Sequence, residues 1–119
     1  MVSVSTFRAL ALSFPEATEA PHFERAAFKV KKIFATLDEK AGLACLMLSP
    51  ADQSAFCTFD TSIIYPVPNK WGLGGATYVL LSKVKKDILL DALTCAYIDK
   101  APKALAAPFI EARERLGGL

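Results

Sequence analysis

Between Ala27 and Leu48 the chain sets three strand-like runs almost end to end, and this spacing constrains the fold more than any other feature. Ala27-Phe28-Lys29-Val30-Lys31 alternates apolar and basic residues, Ile33 to Leu37 forms a second run, and Leu43 to Leu48 is apolar throughout. Only Lys31-Lys32 and the charged turn Asp38 to Gly42 separate them. A parallel pair needs a crossover of about a dozen residues, so connections this short dictate antiparallel pairing. The third run, with no polar face, reads as a buried central strand.

The flanking segments supply helices. Val4, Phe7, Leu10, Ala11 and Phe14 recur at three- and four-residue steps, with Ser3 or Ser5 as N-cap and Pro15 closing the element. Pro15 to Glu24 reads as a loop. Ser49-Pro50-Ala51-Asp52 is a helix start, with Ser as cap and Pro at the first position. That helix is expected to turn Ala55, Phe56 and Phe59 inward and to fade near Asp60. Ser62 to Tyr65 is a short strand broken by Pro66-Val67-Pro68-Asn69, Lys70 to Gly75 is a glycine-rich turn, and Ala76 to Leu81 is the last strand. Lys83 to Ile98 carries apolar residues at helical spacing. Pro102 starts a final helix ending at Gly117-Gly118, which Pro108 should interrupt or kink. The order is α-β(3)-α-β(2)-α: an α+β, two-layer sandwich with an antiparallel sheet and helices on one face.

At 119 residues, 53% of them hydrophobic, the chain is one domain that supports a core without metal or disulfide. A net charge of +2 neither demands nucleic acid nor excludes it. Met1 to Leu10 lacks a secretory pattern, and the most apolar stretch, Ala41 to Ala51, falls far short of the ~20 residues of a membrane span. A cytoplasmic location is expected. Cys45, Cys57 and Cys95 have neither zinc-knuckle nor redox-pair spacing, and they read as small buried hydrophobes. No metal and no cofactor are expected.

Lys29, Lys31 and Lys32, with Arg25 and Lys40 nearby in sequence, form the densest basic feature. On a strand, Lys29 and Lys31 share one face while Phe28 and Val30 take the other. Such charges could meet phosphates, or they could be the solvated face of a hairpin whose lysines guard an edge. Lys83, Lys85 and Lys86 sit at a helix start and read as solvated. Trp71, the sole tryptophan, stands beside Lys70; it either stacks on a base, with Lys70 as phosphate contact, or caps the core. Its glycines lack the strand-loop-helix context and the closing Lys-Ser/Thr of a phosphate loop. His22 would need a nucleophile or an orienting acid, with Glu19 and Glu24 the candidates. No paired-carboxylate, Ser-His-Asp or metal constellation assembles, so no enzyme is expected. An apolar pocket between helix and sheet is the remaining site, lined by Phe28, Phe34, Tyr65 and Trp71 with His22 at its rim.

A set of short motifs, in order, is similar to the MmcQ/YjbR-like proteins. They are Phe14-Pro15-Glu16 with His22, Phe28-Lys29-Val30, Lys32-Ile33-Phe34-Ala35, Leu46, Leu48, Ser49-Pro50, Tyr65 to Gly72, Gly75 to Leu81, Ala96-Tyr97 and Ala101-Pro102-Lys103. The resemblance covers roughly residues 5 to 107. It implies a CyaY-like, secretion-chaperone-like fold and a DNA-binding, "double wing" role, with the basic hairpin as a wing. The segment from Lys70 departs from members that place His before the Trp, and nothing resting on that His carries over. The expectation is weak, sequence-tolerant DNA binding through Arg25, Lys29, Lys31, Lys32, Lys70 and Trp71. A homodimeric or adaptor-like protein–protein module is the alternative, motivated by eight Phe and the chaperone-like fold.

Overall fold

The computed structural model of the chain describes residues 1–117, in the order α1 (Val4–Leu12), β1 (Thr18–His22), β2 (Arg25–Val30), β3 (Lys32–Asp38), β4 (Leu43–Met47), α2 (Pro50–Cys57), β5 (Ile64–Pro66), α3 (Lys70–Leu73), β6 (Ala76–Leu80), α4 (Lys86–Lys100) and α5 (Lys103–Gly117). The strands form one antiparallel sheet, β1-β2-β3-β4-β6-β5, so the α+β class holds. Both edge strands carry a proline, Pro21 in β1 and Pro66 in β5. Proline removes a donor where a further strand would pair, and this protects both edges.

Alternation along the strands divides the sheet into two unequal faces. Ala26, Phe28 and Val30 of β2, Ala44 and Leu46 of β4, and Val79 of β6 pack into the main core with α1, α4 and α5. On β3, Phe28 pairs with Ala35 but Lys29 pairs with Ile33, which makes Phe34 an extra, bulged residue. The bulge sends both Phe34 and Ala35 into the core and turns Ile33 to the opposite face. At the centre, the fully buried Tyr97 of α4 stacks on Phe14 at 4.7 Å and meets Phe34 and Phe109 edge-on at 5.7 and 5.4 Å. Its hydroxyl donates to the Pro15 carbonyl at 2.8 Å, pinning the turn after α1. Burial raises the Tyr97 pKa, with the Glu16 charge adding to it.

Several local expectations need correction. Residues read as a loop before Glu24 contain β1, and the glycine-rich turn contains α3, so four strands precede α2 rather than three. Lys31 is not a strand residue: it is the hairpin tip between β2 and β3, in the left-handed region at φ 69°, and shares no face with Lys29. Arg25 and Lys40 lie at the opposite end of these strands, so the basic cluster splits in two. Phe28 and Phe34 are wholly buried core residues, because their strand faces meet the helices, and they line neither hollow of the opposite face. Ser49 caps α2 as read, but the helix stops at Cys57, Ala55 and Phe59 face solvent, and Phe56 with Cys57 is only half-buried. Cys45 and Cys95 are buried; burial raises the pKa of all three thiols. The fourth helix starts at Lys86, not Lys83, and the last runs through Pro108. Gly118 lies outside the described residues. Among the described residues no helix is long and apolar enough to cross a membrane.

Phe34→Ala should cost roughly 3–5 kcal/mol in urea denaturation, as expected for emptying a core aromatic site. Tyr97→Phe should cost only about 1 kcal/mol, the worth of one hydrogen bond.

Candidate functional site

The face of the sheet opposite the main core carries no helical layer. By strand alternation it presents Ala20 and His22 of β1, Arg25, Ala27 and Lys29 of β2, Ile33 and Thr36 of β3, Cys45 and Met47 of β4, Tyr65 of β5, and Ala76 and Tyr78 of β6. Cys45, Val67 and Ala76 form a small second cluster there, with Met47 and Tyr78 packed against it. Above this apolar floor lie two adjoining hollows of about 660 and 620 Å³ that share His22, Thr36, Met47, Trp71 and Ala76.

Trp71 forms one wall and is 70% exposed, so it is not a core residue. Its backbone, by contrast, is tightly fixed. Asn69 caps α3 by accepting from the Trp71 N–H at 2.8 Å. The Gln53 side-chain amide donates to the Gly72 carbonyl at 2.8 Å and to the Ala76 carbonyl at 3.0 Å, lashing both ends of the segment to α2. A Cβ on Gly72 would run into the Val67 carbonyl, and one on Gly75, at φ 115°, into that of Leu48. Glycine is required at both positions because backbone meets backbone. A large apolar side chain is thereby held in solvent by a rigid mount.

The facing wall is the β1–β2 hairpin. His22 pairs with Arg25 across a two-residue turn whose first residue, Phe23, has φ 59° and is 94% exposed. Left-handed backbone costs a non-glycine residue about 1 kcal/mol, so the turn holds this ring out against a conformational penalty. The Phe23 ring meets His22 edge-on at 5.0 Å. Arg25 reaches over β3 and β4 to lie 5.9 Å from the centre of the Tyr78 ring. Tyr65 packs edge-on against Tyr78 at 5.7 Å and lines neither hollow, contrary to the sequence expectation.

Glu19 does not orient His22: it points to the other face of β1, where its carboxylate accepts from Arg8 Nε at 2.9 Å. Arg8 also bridges to Glu39, and both partners hold its pKa above the ordinary value. The Cys45 thiol is pushed up by burial, outweighing the opposing charge of Arg25 and a backbone hydrogen bond at Thr77, so it is no ready nucleophile. Among the described residues no group of three His, Cys, Asp or Glu side chains converges as a metal site.

Of the residues expected from sequence, the structure brings His22, Arg25, Lys29 and Trp71 to this face; Lys70, and Lys32, which pairs with the core residue Val30, reach the second hollow at the end of the sheet, and Lys31 is at the hairpin tip. Phe23, Thr36, Met47, Tyr78 and Lys100 also line it and were missed. The one signal for Met47 was the run Leu43 to Leu48, apolar on both faces although helices cover only one.

A family model described as YjbR matches residues 12–98. The crystal structure of the Deinococcus radiodurans protein DR2400, whose domain carries the designation DUF419, superposes with a TM-score of 0.71 at 22% identity, covering 98% of this chain and 89% of that one. That likeness bears on the fold alone. No curated protein matches the chain.

Trp71→Ala should leave stability within about ±0.5 kcal/mol, as for a surface residue. Gly72→Ala should cost at least about 1–3 kcal/mol, the range for forcing atoms into occupied space. Denaturant titration of both variants checks the pair.

Proposed function

The chain belongs to the YjbR family, and from that premise we propose that it binds single-stranded nucleic acid on the uncovered face of its sheet, without acting on it chemically. The observation that carries this reading is Trp71: an exposed indole on a rigid mount, over an apolar floor, with cations beside it. Stacking on an aromatic side chain tolerates any base and needs the base unstacked, which favours a single strand over a duplex. Trp71 and Phe23 supply two such rings on opposite walls of the hollows. Lys29, Lys31, Lys32 and Lys70 are exposed and have no ion-pair partner among the described residues, which suits phosphate contacts. Among the described residues neither Glu19 nor Glu24 hydrogen-bonds to His22, and burial raises the Cys45 pKa; both observations suit binding rather than catalysis. A cytoplasmic setting follows from this ligand.

The competing occupant is a second copy of the chain, drawn by exposed Phe23, Trp71 and Leu73. A second copy offers this face no dianionic group to match its lysines, whereas a phosphate does.

Labelled oligothymidylate titrated by fluorescence anisotropy should bind at low salt, with log K falling by about 0.7 per phosphate contacted for each unit of log salt. Joint Lys29→Glu and Lys31→Glu substitution should abolish binding while leaving stability within about ±0.5 kcal/mol. Trp71→Ala should lose roughly 1–3 kcal/mol of affinity. No binding at ~100 μM and low salt, or a chain that is dimeric in sedimentation and binds only once dissociated, would overturn the reading.

A further inference from the structure

The two hollows on the open face differ in charge. The one lined by Glu24 and Arg25 offers a carboxylate beside its only cation, and that cation already lies over Tyr78. The one beyond His22 and Trp71 is lined by Lys32, Lys70 and Lys100 and by no carboxylate. These lysines arrive from three separate elements: the start of β3, the short α3 and the last residue of α4. Lys100 Nζ is held by Asp99 Oδ2 at 2.6 Å, whereas Lys32 and Lys70 have no ion-pair partner among the described residues. The floor between them is Ile33, Thr36, Met47 and Ala76, and the volume of about 620 Å³ is that of a small-ligand site.

The Glu24–Arg25 half offers a bound strand one cation, already over Tyr78, so phosphates find most of their partners at the other end. Positive charge is concentrated at one end, next to the one exposed indole. We propose that this hollow is a nucleotide subsite, seating a base against Trp71 and His22 and a terminal phosphate on Lys32 and Lys70, with Lys100 behind them. The inference deepens the nucleic-acid reading and rests on it for the class of ligand. A phosphomonoester carries about −1.5 to −2 at pH 7 against −1 for a backbone diester, so clustered ammonium groups select the end of a strand, or a free nucleotide, over its interior.

Trp71 is the chain's sole tryptophan, so its emission reports on the subsite directly. The intact protein would be titrated at low salt with tetranucleotides bearing a 5′-phosphate, a 3′-phosphate or neither, and with nucleoside monophosphates. A phosphorylated end should bind about tenfold tighter than its unphosphorylated counterpart, the scale of one charge-assisted hydrogen bond. The preference should shrink below about pH 6, where the monoester loses its second charge. Lys32→Ala with Lys70→Ala should erase it while unphosphorylated strands still quench, a control that the variant is folded. Monophosphates matching the phosphorylated strand identify free nucleotide as the source; weaker monophosphates identify a strand end; either supports the subsite. Equal affinity with and without phosphate overturns the subsite and leaves the strand-binding reading standing. Quenching by monophosphates but by no unphosphorylated strand supports the subsite and removes the strand reading. No quenching by any of these ligands overturns both.

Discussion

The ring of Tyr97 is where the helical layer is tied to the sheet. Phe14 after α1, Phe34 on the β3 bulge and Phe109 of α5 all close on it, and its hydroxyl donates to the Pro15 carbonyl. Aromatic contacts of this kind add about 0.5–1.5 kcal/mol each beyond the area they bury. Their larger effect is directional. With α1, α4 and α5 committed to one face, no long helix remains for the other. The bulge sharpens the division by putting two consecutive residues, Phe34 and Ala35, into the core and sending Ile33 across the sheet.

What remains on the open face is not an ordinary solvated sheet surface. Its floor is Cys45, Met47, Val67, Ala76 and Tyr78, which would be expected inside a protein, and it is walled by two exposed rings. Each ring is set by its backbone: the left-handed φ at Phe23 that a two-residue hairpin turn requires, and close backbone contacts at Gly72 and Gly75 that leave no space for a side chain. An apolar hollow between exposed rings has the composition of a contact surface. The distribution of charge then narrows the chemistry. Lysines gather at one end and a carboxylate offsets the arginine at the other, so the face has a direction.

The α+β class and the antiparallel hairpins were legible because short connections leave no alternative, and the Ser49-Pro50 helix start because its cap chemistry is local. β1 was hidden. Thr18 to His22 carries a glutamate and a proline, and its turn is Phe23-Glu24 rather than the Asn-Gly or Asp-Gly that marks tight hairpins. Only pairing with β2 makes it a strand. The same turn hid Phe23 as a site residue. Trp71 and Lys70 were legible as a pair, but whether the indole was core or surface depended on Gln53 and Leu48, both distant in sequence, and on how the backbone folds back onto Val67. Phe28 and Phe34 were assigned to a pocket because their aromatic character is the same on either face; parity and the bulge, both properties of pairing, place them in the core. Lys100 joins the site only because α4 ends over it.

The open face as binding surface is tested most directly by amide chemical-shift mapping of the isotope-labelled protein with a short single-stranded oligonucleotide. The shifts are expected to concentrate on His22, Lys32, Ile33, Thr36, Met47, Lys70 and the Trp71 indole, with α5 and the outer turns of α2 unmoved. Shifts centred on the helical layer, or none across the sheet, would contradict it.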